Sequence, residues 1–119
     1  YANPDMVGHT GDLKAAIKAV ETVDECIGYL VQELKKVDGL MFLTSDHGNC
    51  EMMYDTSTQT THTSHTTNLV PTILVNASPE VCELKNGKLA DVAPTLLELL
   101  GLPLPQSMNG QSMLVTSRN

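Results

Sequence analysis

The sequence contains few aromatic side chains and few positive charges. Three Tyr, one Phe and no Trp occur among 119 residues, and the 41% hydrophobic content predicts a core of Leu, Val, Ile and Met. Seven Lys and Arg stand against 14 Asp and Glu, which gives a formal net charge of -7. Nucleic-acid binding is therefore not expected, because it needs clustered cations. An anionic substrate would need bound cations or another chain segment to supply positive charge.

Long apolar runs and paired cysteines are also lacking. The sequence has no run of 18 apolar residues and no signal peptide, which predicts a soluble, cytoplasmic protein without membrane contact. Cys26, Cys50 and Cys82 are odd in number and widely spaced, so free thiols are expected. Candidate ligands occur close to the first residue, where chains usually fray, so we interpret the chain as a piece of a longer protein.

Hydrophobic periodicity predicts two helices. Apolar residues recur at helical spacing from about Asp12 to Lys36, with Asp12 or Thr10 available as the N-cap. A second helix is predicted from Val92 to Leu100, with Asp91 as its cap.

Strands are predicted between and after these helices. The apolar runs at 40–45 and 69–76 are expected to be buried strands, the polar segment 50–68 a loop, and 112–115 a short strand. This alternation predicts an α/β fold with a central, mainly parallel sheet flanked by helices. Two or three strands are too few for a stable free sheet, so further strands are expected outside this sequence.

Asp46 and His47 stand immediately after the first predicted strand. Open α/β sheets bind ligands beyond the carboxyl ends of their strands, and Asp and His are common ligands of Zn and Mn. Adjacent residues can both reach an ion only where the chain turns, which Gly48 permits. Taken alone, a turn-capping aspartate and a surface histidine would be the simpler interpretation. The position after a buried strand, together with two other His-containing segments, favours a metal site.

Two further polar segments carry the remaining histidines. Asp5 and His9 lie four residues apart, the spacing of one helical face, although Gly8 leaves a simple turn as an equal alternative. His62 and His65 lie in the polar loop, and one of them is expected to be a ligand. Together with the pair after the first strand, these residues predict one metal site assembled by folding.

Three motifs occur in a characteristic order along the chain. They are Asn-Pro-Asp-Met-Val-Gly-His-Thr-Gly at 3–11, Thr-Ser-Asp-His-Gly-Asn at 44–49 and His-Thr-Thr-Asn-Leu-Val-Pro at 65–71. Together they resemble the C-terminal part of the cofactor-independent (2,3-bisphosphoglycerate-independent) phosphoglycerate mutase family, and 89–101 is similar to that family's final helix. The resemblance implies that residues 1–119 are an incomplete, partial alkaline-phosphatase-like domain. The N-terminal half of that domain and the transferase domain would lie outside this sequence.

The resemblance also implies a two-ion centre, usually of manganese, with zinc, cobalt or magnesium as alternatives. The family's ligands fall on Asp5, His9 and His65 for the first ion, and on Asp46 and His47 for the second. His65 fits the motif better than His62, which stays open as a replacement. The other ligands of the second ion, an Asp and the nucleophilic Ser, lie in the absent part. No catalytic residue is therefore expected here, and at most one ion per chain.

For the whole protein, the resemblance implies a glycolytic isomerase that interconverts 3-phosphoglycerate and 2-phosphoglycerate through a phosphoserine intermediate. Paired ions suit this transfer because they can stabilise the entering and leaving oxygens. The alternatives are a phosphopentomutase or metal-dependent phosphohydrolase of the same superfamily, or a non-catalytic interaction fragment. The segment alone is expected to be inactive and to self-associate through exposed sheet surface.

Overall fold

The computed structural model describes residues 1–117, which form short strands and helices of very unequal length. The helices are α1 (Asn3–Gly8), α2 (Leu13–Lys36) and α3 (Val92–Leu99), with a 3-10 turn at Leu89–Asp91 before α3. The strands are β1 (Met41–Leu43), β2 (Tyr54–Asp55), β3 (Thr60–Thr61), β4 (Ile73–Val75), β5 (Val81–Leu84) and β6 (Leu114–Thr116). The mixed α/β class predicted from the sequence is confirmed.

The chain divides into two compact units. The N-terminal unit comprises Tyr1–Gly39 and Thr44–Pro71, and therefore contains α1, α2 and the β2–β3 hairpin. The C-terminal unit comprises Leu40–Leu43 and the chain from Thr72 onward, with the other strands and α3. No helix of the described residues is long and apolar enough to cross a membrane.

The long helix α2 follows the predicted bounds. Its N-cap is Asp12, whose side chain accepts a hydrogen bond from the backbone N–H of Ala15 at 3.1 Å. The alternative cap, Thr10, instead donates its hydroxyl to the Val7 carbonyl at the end of α1. Lys35 and Lys36 in the last turn complement the helix dipole.

The first motif forms a real, if short, helix. Pro4 occupies the first turn of α1, where its missing N–H costs nothing, and α1 packs against α2. Gly11 then adopts a φ of +72°, a left-handed conformation that lets the chain reverse into α2. Asp5 therefore lies within α1, and His9 is its C-terminal cap residue.

Strand direction differs from the expectation. β1 pairs with β4 antiparallel, with Phe42 opposite Leu74, and the described β2–β3 and β5–β6 ladders are antiparallel as well. A parallel pair needs a crossover, usually a helix, but the connection from β1 to β4 contains only loops and the β2–β3 hairpin. This corrects the mainly parallel direction expected for the strands that these residues form.

Asp91 has a different role from the predicted cap of α3. Its carboxylate makes no side-chain cap bond to that helix and accepts instead from the backbone N–H groups of Lys88 and Gln111, both at 2.9 Å. These hydrogen bonds hold the pKa of Asp91 below its usual value. Thr95 is fully buried; its hydroxyl donates to the Asp91 carbonyl at 2.6 Å and accepts from Met113 N–H at 3.0 Å. Both side chains thus anchor the C-terminal segment to α3.

The predicted aliphatic core is largely missing. The buried hydrophobic residues among those described are Ala16, Ala19, Met53 and Met113. Large apolar side chains of α2, including those of Leu13, Ile17 and Val20, are exposed. Among the described residues, the expected core of Leu, Val, Ile and Met is therefore limited to two methionines, and the apolar stripe of α2 has little of the chain against it.

Candidate metal centre

Three polar segments of the N-terminal unit converge on the carboxylate of Asp5. His65 Nε2 lies 2.8 Å from Asp5 Oδ1, and His9 Nε2 lies 3.3 Å from the same oxygen. One ligand atom from each of these three residues falls within 4.8 Å of the others. Folding thus brings residues of α1 and of the loop after β3 together.

The orientation of His9 is set by a backbone partner. Its Nδ1 lies 2.7 Å from the Thr63 carbonyl oxygen, so Nδ1 carries the proton and donates it. Nε2 faces Asp5 Oδ1 at 3.3 Å. Metal-binding histidines commonly hold their second ring nitrogen in this way.

His47 lies beside the same cluster. Its ring stacks on that of His65 with centroids 3.5 Å apart and an angle of 18° between the planes. His47 Nε2 is 3.6 Å from Asp5 Oδ1 and 3.6 Å from Asp46 Oδ1. The Asp46 side chain, in contrast, is 82% exposed. The pair assigned to a second ion is therefore adjacent to the first cluster, with its carboxylate on the solvent side.

His62 does not join His9 and His65 in the cluster of possible ligands found among the described residues. Its Nε2 is buried without a hydrogen-bond partner. Of the two histidines left open in the polar loop, His65 is the one that reaches Asp5.

The electrostatics of Asp5 favour its ionised form. A hydrogen bond from the Asn49 amide is the main cause that lowers the pKa of Asp5; partial burial opposes it, and the nearby His65 and His9 lower the pKa further. A carboxylate must be deprotonated to bind a metal, so the lowered pKa suits this role.

Two neighbours of the cluster had no role assigned from the sequence. Asn49 is only 5% exposed and donates from Nδ2 to Asp5 Oδ1 at 3.2 Å. Glu51 accepts from the backbone N–H of Asn49 at 2.6 Å, from the Thr66 hydroxyl and from the Asn68 amide at 3.2 Å. Asn49 is the last residue of the second motif at 44–49, and this position could have indicated a role in the site. Nothing in the pattern marked Glu51.

The donor set fits a divalent transition-metal ion. One carboxylate oxygen and two imidazole nitrogens are typical of zinc and manganese sites. Ligand bonds of about 2.0–2.2 Å place ligand atoms roughly 3.3–3.6 Å apart in a tetrahedral site. The observed separations of 2.8 and 3.3 Å from Asp5 need only small adjustments to reach this spacing.

The site and the fold agree with the family to which the chain belongs. A family model described as the metalloenzyme superfamily matches residues 1–104, so the chain is a member of that superfamily, and metal binding is implied.

Its relatives are 2,3-bisphosphoglycerate-independent phosphoglycerate mutases. The mutase of a Ruegeria species (strain TM1040) is 61% identical over 115 residues, which is 97% of this chain and 22% of that protein. The mutase of Agrobacterium fabrum is 58% identical over 114 residues, and phosphoglycerate mutase 1 of Methanosarcina acetivorans is 56% identical over 115 residues. Each match covers at least 96% of this chain and 22% of the relative.

The fold is shared with a solved mutase. The crystal structure of Leishmania mexicana phosphoglycerate mutase at low cobalt concentration superposes with a TM-score of 0.83 at 33% identity, covering 98% of this chain and 24% of that one. The resemblance to the mutase family and the partial alkaline-phosphatase-like α/β fold are thus confirmed. The chain spans about a quarter or less of the length of these proteins.

Proposed function

We propose that these residues are the metal-binding segment of a cofactor-independent phosphoglycerate mutase. Asp5, His9 and His65 would hold one divalent ion, and Asp46 and His47 would contribute to a second. The observation that carries the proposal is the convergence of two imidazole nitrogens on Asp5 Oδ1 at 2.8 and 3.3 Å, from residues 60 and 4 positions away. Manganese is the expected ion, with zinc, cobalt or magnesium as alternatives.

The chain's own residues have defined tasks in this proposal. Asp5 offers an ionised oxygen, and the Thr63 carbonyl fixes the His9 ring with Nε2 toward that oxygen. Divalent ions, when bound, supply Lewis-acid stabilisation of the charge on a transferring phosphoryl group. Ser45 is not proposed as the nucleophile, because its hydroxyl donates to the His47 carbonyl at 2.8 Å.

The proposed substrates of the whole protein are 3-phosphoglycerate and 2-phosphoglycerate, interconverted through a phosphoserine formed outside this segment. An acidic chain of net charge -7 is compatible with these anions once cations are bound. The names of the relatives support this reaction over the phosphopentomutase and phosphohydrolase alternatives. The intact ligand cluster argues against a non-catalytic interaction fragment. Cytoplasmic location and a role in glycolysis are part of the same proposal.

Two assays test the proposal on the complete polypeptide that contains these residues. A coupled assay should detect turnover with 3-phosphoglycerate and none with a pentose phosphate; the opposite preference would favour the phosphopentomutase. Metal analysis should find divalent ions whose removal by a chelator abolishes the activity. Absence of bound metal in an active protein would contradict the ligand assignment.

The 119-residue segment is proposed to be inactive and to be one part of a larger domain. The exposed apolar stripe of α2 supports this proposal, because such surface is normally covered. In isolation the segment should self-associate. A monomer in sedimentation at high concentration would contradict the expected self-association. Mutase turnover by the purified segment would contradict the expected inactivity.

A further inference from the structure

We infer that Asn49 and Glu51 are positioning residues that hold the three ligand-bearing segments together before any ion binds. The inference rests on the proposed metal site and assigns the two residues that build it. Both follow closely after His47 in sequence. Asn49 reaches back to α1, and Glu51 reaches forward to the loop of His65.

Asn49 fixes both the side chain and the backbone of Asp5. Its Nδ2 lies 3.2 Å from Asp5 Oδ1 and 3.4 Å from the Asp5 carbonyl oxygen. Its Oδ1 is buried without a hydrogen-bond partner, an arrangement that costs free energy. The amide is therefore oriented by its donor end, since the reverse orientation would bring its oxygen against the carboxylate. Gly8 leaves room for this amide, because a Cβ at Gly8 would overlap the Asn49 side chain.

Glu51 joins the segment after His47 to the segment after His65. Its Oε2 accepts from Asn49 N–H, and its Oε1 accepts from the Thr66 hydroxyl and the Asn68 amide. Thr66 N–H also donates to the Gly48 carbonyl at 2.8 Å, so the two segments are joined through backbone as well. Because Thr66 directly follows His65, this carboxylate limits where the His65 ring can lie.

Glu51 is a positioning residue and not a further ligand. Both of its oxygens are engaged by donors of the protein. Partners of this kind usually tune affinity, and their removal typically weakens metal binding about 10–100-fold.

Asp55 offers a matched control in the same unit. Its carboxylate also accepts several hydrogen bonds, from Ser57 N–H at 2.8 Å, the Ser57 hydroxyl at 2.6 Å and Thr58 N–H at 3.4 Å. All of these donors lie within the turn of the β2–β3 hairpin, and none belongs to a ligand-bearing segment. Asp55→Asn therefore removes a comparable carboxylate without touching the proposed site.

The test is Mn²⁺ affinity, measured on the complete polypeptide by the electron paramagnetic resonance signal of free Mn²⁺ in competition with a chelator. Asn49→Leu keeps the side-chain size and removes the donor, while Glu51→Gln keeps the size and removes the charge. Each should weaken Mn²⁺ binding about 10–100-fold, and Asp55→Asn should not weaken it. Thermal unfolding of the metal-free proteins identifies a temperature at which every variant is fully folded, and the affinities are compared at that temperature.

The outcomes separate the inference from the proposed function. If the unsubstituted protein binds no Mn²⁺, the proposed metal site itself fails. If it binds and both variants match its affinity, the positioning role is overturned. A loss of affinity that disappears at a temperature where the variants are fully folded would also overturn it, since the effect would then be stability alone. If Asn49→Leu does not fold, the result for Glu51→Gln decides.

Discussion

The N-terminal and C-terminal units use buried and half-buried polar groups in different ways. In the C-terminal unit, Asp91 and Thr95 are satisfied by backbone N–H groups of Lys88, Gln111 and Met113. In the N-terminal unit, side chains face side chains: the carboxylate of Asp5 meets imidazole rings and the amide of an asparagine.

The difference separates polar side chains that stabilise the fold from polar side chains that are available to bind a ligand. A carboxylate bonded to backbone donors is held in place and has little left to offer a ligand. A carboxylate surrounded by imidazole rings has neighbours of a residue type that commonly binds metals, so an ion could replace the contacts between them. The substitutions below test this distinction, beginning with the largest expected effect.

Removing His65 should abolish metal binding by the N-terminal unit. His65→Ala deletes the nitrogen 2.8 Å from Asp5 Oδ1 and should weaken Mn²⁺ binding by more than the roughly 100-fold that loss of an outer partner can cause. Asp46→Ala is the comparison, because its exposed carboxylate approaches only His47 at 3.6 Å among the described contacts, and near-normal binding is expected. Titration of the 119-residue segment with Mn²⁺ measures both, with at most one ion expected. Loss of binding with Asp46→Ala but not with His65→Ala, or two equally tight ions, would mean that the ligands are assigned to the wrong ions.

Adding a methyl group at Gly8 should disturb the same unit from outside the ligand set. Gly8→Ala places a Cβ against the Asn49 amide, so we expect weaker Mn²⁺ binding and a loss of about 1–3 kcal/mol in unfolding free energy. Gly28→Ala is the control, since nothing lies within 4 Å of its added Cβ on α2. That change should stabilise the helix by about 0.5–1 kcal/mol. Denaturant unfolding gives both values, and equal effects at the two glycines would contradict the contact.

Asp91 should affect acid stability and leave metal binding unchanged. Because its folded-state pKa is below the unfolded value of 3.8, its contribution is fully present above that value and is lost as pH falls through the folded-state pKa. Asp91→Asn should therefore lower stability at neutral pH, and the difference should vanish in strong acid. Urea unfolding as a function of pH measures this difference in stability. A change in Mn²⁺ affinity would contradict the purely structural role of Asp91.

The smallest expected effect concerns the thiols of the two units. Burial is the main cause that raises the pKa of Cys50, with the charges of Glu51 and Asp5 adding to it, and its thiol donates to the Pro4 carbonyl. Cys82 in the C-terminal unit is exposed. Since the thiolate is the reactive form, iodoacetamide should modify Cys82 before Cys50 at mildly alkaline pH. Mass spectrometry of partially modified protein gives the order, and faster labelling of Cys50 would contradict it.

Much of the fold could be predicted where the pattern is local. The stripe of α2 and its Asp12 cap are local features, and both are found as expected. Strand direction and the role of Asp91 depend on partners far along the chain, so the local sequence pattern gave the wrong prediction for both. Asp91, for example, bonds to Gln111, 20 residues away.

The candidate site divides in the same way. Its five proposed ligands are chemically distinctive residue types, and the structure brings His9, His47 and His65 around Asp5. Asn49 and Glu51 are ordinary polar residues whose importance lies in contacts with Asp5 and Thr66, 44 and 15 positions away. No local pattern reveals such contacts.

The sequence separation of 60 positions between Asp5 and His65 links folding to the proposed metal site. Helix α2 can form from local contacts within about a microsecond, whereas the ligand set exists only after this long loop has closed. An ion that binds the folded chain and not the unfolded one shifts the equilibrium by RT ln(1 + [ion]/Kd). With the proposed site, a higher free metal concentration would therefore raise the fraction of chains that are folded, and with it their resistance to proteolysis.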